Sequence, residues 1–153
     1  MKTLANVPDK REILARLGGM RADSQRLWGR MSPHQMICHL SDSFRVSMGE
    51  MKASPATGFL QRTVVKWGAL YFPMTWPKNV PTRPVIDQAA GGGSCPSDFN
   101  RDVQDLVSLT DRFVREPRDF VWHAHPFFGN MTARDWMRWG YLHMDHHLRQ
   151  FGR

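Results

Sequence analysis

Apolar residues return at helical spacing along most of this 153-residue chain, and the pattern predicts helices throughout. A first, short one is expected from Pro8-Asp9 to Leu17, with Ile13, Leu14 and Leu17 on its apolar face and Gly18-Gly19 as its stop. The second has a sharper start. Ser32-Pro33-His34-Gln35 offers an N-cap hydroxyl, a proline where no N–H is needed, and a glutamine able to close a capping box. That helix should reach about Glu50, with Ile37, Leu40, Phe44 and Met48 inward. From Thr57 to Phe72, Phe59, Leu60, Val64, Trp67, Ala69, Leu70 and Tyr71 cover much of the circumference, which predicts a well-buried third helix. A fourth is expected from about Ser97 to Arg115, ended by Pro117. Thr132-Ala-Arg-Asp135 opens the last from a second capping box, and it should run through Trp136 to about Phe151.

Two stretches break this pattern. Prolines 73, 77, 81, 84 and 96 and glycines 91 to 93 forbid a helix between Pro73 and Pro96, and Val121 to Gly129 is irregular and rich in aromatics. No internal repeat and no alternating strand is visible, so the expected fold class is all-α: a helical bundle of four main helices behind a short N-terminal one, with two long irregular connections. The length fits a single domain over 1–153, and 41% hydrophobic residues are enough for one core.

Charge adds a question about partners. Lys and Arg number 21 against 14 Asp and Glu, a net +7, and the excess lies in residues 1–76. The cations are scattered without a run, and the Arg134, Arg138, Arg149 row on the outer face of the last helix is interrupted by Asp145. Only weak DNA affinity that fades at physiological salt is expected, with no specific nucleic-acid partner. Residues 51–86 hold Lys52, Arg62, Lys66, Lys78 and Arg83 without an acidic residue, alongside Phe59, Trp67, Tyr71, Phe72 and Trp76. That face could serve a partner or a membrane surface; the favoured expectation is that the aromatics fill the core, with a modest homodimer interface and no membrane contact. The N-terminus lacks a secretory apolar run, which reads as cytoplasmic.

Two cysteines, Cys38 and Cys95, cannot build a disulfide scaffold or a thiolate zinc site, so any metal would be held mainly by histidine. At about 100° per residue, His143 and His147 lie about 40° apart on one face of the last helix, together with Trp136, Trp139 and Gln150. Two imidazoles on an apolar stripe need partners, and a metal or a structural hydrogen-bond network would each supply them. The residue after His143 is Met144 rather than the Glu of a zincin, which disfavours that peptidase chemistry. His39 on the second helix is the candidate third ligand, although its own stripe is mixed. His34 points elsewhere, His146 sits at the helix edge, and His123 and His125 are expected to serve packing and hydrogen bonding in the aromatic loop. Cys38 is rotated away from His39, which disfavours a nucleophile pair.

Ile37-Cys-His39-Leu-Ser-Asp42, with Leu142-His143-Met-Asp-His146-His147-Leu-Arg-Gln150, resembles the DinB/YfiT-like superfamily of helical-bundle metalloproteins. Trp28 to Met36 and His125-Pro-Phe-Phe-Gly129 are similar to a bacterial branch of it. The resemblance spans nearly the whole chain and implies a four-helix bundle in which His39, His143 and His147 hold one divalent ion, zinc or nickel first, iron or manganese as further options. It also implies a small-molecule substrate, and transfer chemistry with a low-molecular-weight thiol or hydrolysis; DinB-like proteins often pair, which supports the homodimer expectation. Asp42 and Glu50, expected on the His39 side of the second helix, are the candidate orienting or proton-accepting carboxylates. The rival expectation is a non-catalytic helical binding protein whose histidines are structural.

Overall fold

Short-range chemistry at the helix starts behaves as the sequence predicts. Ser32 accepts the Gln35 N–H while the Gln35 side chain accepts the Ser32 N–H, and Thr132 and Asp135 repeat the exchange. Asn6 and Asp98 cap two further helices by accepting the N–H groups of Asp9 and Arg101. Such caps satisfy backbone donors that have no partner within the helix.

The computed structural model describes residues 1–55 and 58–153, which fold into five α-helices and no strand. These are α1 (Val7–Gly18), α2 (Pro33–Ser47), α3 (Lys66–Tyr71), α4 (Phe99–Val114) and α5 (Ala133–Arg149). Helix α2 lies against α4, and α1 against α5, with α5 also meeting α2 and α3. Phe113 of α4 sits at the centre, its ring 4.7 Å from Phe44, 4.8 Å from Trp122 and 6.4 Å from Trp136. Gly140 explains a glycine in mid-helix. A Cβ there would stand 2.6 Å from Leu4 Cδ1 and 3.3 Å from the Phe113 ring, so the close approach of α5 to its neighbours depends on the missing side chain.

Two expectations need correction. Helix α2 stops at Ser47 rather than Glu50 because Gly49 takes φ +82°, the left-handed conformation that ends helices, and Glu50 falls outside it. The stretch from Thr57 to Phe72 is neither one regular helix nor buried. Thr57 lies outside the described residues, Gln61–Val65 wind as a π-helical turn, and α3 itself holds six residues. Phe59 is 78% exposed, Leu60 62%, Val64 68% and Trp67 60%; of the residues in α3 only Leu70 is buried. The segment is held through its middle and end: Lys66 donates to the Asn130 carbonyl at 3.0 Å, the Tyr71 hydroxyl donates to Asp135, Arg138 donates to the Leu70 carbonyl at 2.8 Å, and the Trp76 indole donates to the Ala69 carbonyl at 2.8 Å.

The Pro73–Pro96 connection is irregular as expected, apart from 3-10 turns at Pro84–Ile86 and Gln88–Ala90 that lie against α2. Between α4 and α5 the aromatic loop closes in a short bridge between His125 and Gly129. No helix among the described residues is long and apolar enough to cross a membrane.

Candidate metal centre

Residues one turn apart on α5 face the same way, and α2 runs beside that face, so His39, His143 and His147 come together with one nitrogen from each within 4.8 Å of the others. The Nε2 of His143 is 3.3 Å from that of His39 and 3.2 Å from that of His147. The outer nitrogens set the proton positions. His39 Nδ1 lies 2.7 Å from the Ile86 carbonyl oxygen, which can only accept, so its proton is on Nδ1 and its Nε2 carries a lone pair. His147 Nδ1 lies 2.9 Å from Gln150 Oε1, with the same consequence. A neutral His143 has one proton, and two inward lone pairs compete for it.

Burial pushes all three imidazoles below the usual histidine range, His143 and His147 well below it. Each is therefore neutral at pH 7, the form that ligates metal. Trp139 stacks on His143, with centroids 4.8 Å apart and planes 28° apart, which restricts rotation of that ring.

The two candidate carboxylates lie elsewhere. Asp42 is fully buried, but its oxygens accept from Gln88 Nε2, the Ser94 N–H and the Ser94 hydroxyl, each at 2.7 Å, and from Arg45 at 3.0 Å. It pins the connection that carries Ile86, and so acts on His39 through that carbonyl and through its charge rather than by a hydrogen bond of its own. Glu50, left beyond the end of α2, pairs with Arg112 at the surface. Among the described residues, neither carboxylate is hydrogen-bonded to a site imidazole.

The remaining chemistry-bearing residues separate. His34 Nε2 meets Asp102 at 2.6 Å, and burial, reinforced by the same carboxylate 3.8 Å from Cys38 Sγ, pushes that thiol up to about 12. His146 packs edge-on against Trp28 at 4.9 Å. The sequence names Trp28 and Trp76 but does not place them at the site, and it does not point to the Ile86 carbonyl at all, since a backbone acceptor in a proline-rich connection leaves no pattern.

The three histidines line a cavity of about 920 Å³ whose walls include Trp28, Trp76, Phe127 and Trp139. His125 lines it as well. The His125 Nδ1 accepts the N–H groups of Phe127 and Phe128 at 3.1 and 3.0 Å, so the neutral ring carries its proton on Nε2. Burial pushes its pKa from 6.5 down to about 3. An unfolded chain takes up this proton first, so stability is full above 6.5 and falls as pH drops from there toward about 3. One such histidine contributes a slope of about 1.4 kcal/mol per pH unit within that window. His125→Phe should flatten the stability–pH slope below 6.5 by about one proton, measured by denaturant unfolding at stepped pH; an unchanged slope would mean that His125 protonates freely in the folded state.

No curated protein and no solved structure matches the chain. The family model described as "Protein of unknown function (DUF1569)" does match, and it takes in residues 4–153, from the start of α1's lead-in to the last residue of the chain, with every histidine of the site inside it. A match of that extent places the chain in the DUF1569 family.

Proposed function

We propose that His39, His143 and His147 hold one divalent ion, zinc or nickel before iron or manganese, in a metal-dependent enzyme of small molecules. Its reaction is transfer involving a low-molecular-weight thiol, or hydrolysis. The observation that carries this reading is the convergence of three Nε2 atoms while the Nδ1 protons of His39 and His147 are committed outward, to Ile86 and Gln150. That arrangement leaves lone pairs facing one another, and a cation relieves it. The same placement, one histidine on an early helix and a pair on the last, supports reading the helices as a DinB/YfiT-like four-helix bundle.

When bound, the ion supplies a Lewis acid that lowers the pKa of a thiol or water. The protein's own residues do the rest. Ile86 and Gln150 fix the two ring orientations, and Trp28, Trp76 and Phe127 give the cavity apolar walls against which a small molecule can pack. His125 offers its Nε2 proton as a donor to an oxygen of the substrate. The purely structural reading of the histidines is weakened by the shortage of protons between the three rings.

The thiol chemistry has a direct test. Protein carrying Cys38→Ser, loaded with nickel and titrated with a low-molecular-weight thiol, should develop a thiolate-to-metal charge-transfer absorption, because the only other cysteine, Cys95, is exposed and away from the site. Absence of the band with retained ester hydrolysis selects the hydrolase; absence of both supports a binding protein.

A further inference from the structure

The exposed stretch before and through α3 combines two features that are unusual together. Phe59, Leu60, Val64, Trp67, Phe72 and Met74 are all more than half exposed. Residues 51–86 also carry five cations, Lys52, Arg62, Lys66, Lys78 and Arg83, and no acidic residue. Among the described residues none of these five is in an ion pair, whereas Arg16, Arg30, Arg45, Arg112, Arg115 and Arg118 all are. Their contacts are with neutral groups instead: Lys66 donates to the Asn130 carbonyl and Arg83 to the Ser54 hydroxyl, while Lys78 stands 5.7 Å over the Trp28 ring. Exposed Arg62 and Thr63 are interleaved with these apolar side chains, and Phe59, Leu60, Val64 and Trp67 are left uncovered by the rest of the described chain, the mixed apolar and cationic surface of a docking face.

We propose that this segment docks on an anionic membrane surface. Charge decides between the two simplest covers. A symmetric contact with a second copy sets the five cations of one chain against the same five of the other, with no carboxylate in the segment to relieve them. An anionic bilayer supplies opposite charge at the headgroups and apolar depth beneath for the aromatic and aliphatic side chains. Contact is with the surface alone, since no described helix is long and apolar enough to cross. The other side of the same segment, Val65, Gly68, Ala69 and Trp76, lines the cavity over the histidines. A docked protein therefore presents a cavity wall to the lipid, whether or not a metal is bound.

Co-sedimentation of the full chain with vesicles tests this. Binding is expected to vesicles of equal parts phosphatidylcholine and phosphatidylserine, weakening with salt, and not to phosphatidylcholine alone. Phe59→Asp with Trp67→Asp removes the apolar anchor, and Lys52→Glu with Arg62→Glu reverses the charge; both pairs change exposed residues and leave the core intact. Each pair should lower the partition coefficient at least about tenfold, with the circular dichroism of the wild type retained. No binding to the anionic vesicles, equal binding to both vesicles, or affinity unchanged in the variants would overturn the proposal. So would a dimer in ultracentrifugation that the Phe59 and Trp67 changes convert to monomer, which would identify the cover as a second copy.

Discussion

Protein prepared without a histidine tag and reloaded with zinc or nickel should hold about one ion per chain, and the combined change of His143→Ala and His147→Ala should leave it with none. His143 Nε2 lies within 3.3 Å of both other Nε2 atoms, so removing it and His147 takes away two of three converging donors and leaves His39 alone. A single imidazole does not hold a divalent ion against buffer. Elemental analysis of dialysed protein reads the result directly, and full metal in the double variant would sink the assignment. The wild type should also gain stability from the ion by mass action, about 4 kcal/mol when free metal stands at a thousand times the dissociation constant. That increment should vanish in the double variant. Because burial lowers the pKa of all three histidines, protons compete poorly for the ligands, and metal should be retained below the pH at which a free imidazole would release it.

What the sequence disclosed follows the range of each interaction. The capping boxes at Ser32 and Thr132 involve residues three apart, and both helix starts lie where the pattern puts them. The pairing of His143 with His147 is likewise a matter of one helical turn. The end of α2 was legible too, since Gly49 is the residue that stops it, but the apolar Met48 extends the periodicity and hides the stop. That error of three residues moved Glu50 onto a helix face it does not occupy. The segment around α3 misleads for a different reason: a helix apolar around much of its circumference reads as buried, and sequence carries no record of whether its own chain packs over it. The acceptors that orient the site divide in the same way. Gln150, three residues after His147, appears in the motif, whereas the Ile86 carbonyl is brought to His39 by a connection whose path depends on Asp42, Gln88 and Ser94.

Asp42→Ala should destabilise the protein by about 3 kcal/mol or more and weaken metal binding, through His39, by about ten- to a hundredfold. The carboxylate is fully buried and accepts from three donors of the connection and one guanidinium, so its loss strands the buried Gln88 Nε2 and deprives the half-buried Ser94 of the acceptor for both its donors. Asp42→Asn rescues only in part: its amide oxygen can keep the Gln88 and Ser94 N–H donors and the Ser94 hydroxyl can turn to accept from the amide nitrogen, but Arg45 then faces a donor and loses its acceptor. The approach is close enough that Gly93, at φ +69°, has no room for a side chain: a Cβ there would stand 2.7 Å from Asp42 Oδ2. Once this anchor goes, the Ile86 carbonyl is no longer held against His39 Nδ1, and the ring is free to turn its lone pair away from His143. Denaturant unfolding, hydrogen exchange at the Ser94 amide and metal titration should therefore change together in both variants. A different pattern would restore Asp42 as a proton acceptor in the reaction: stability and metal affinity unchanged in Asp42→Asn, with turnover lost and its pH profile shifted.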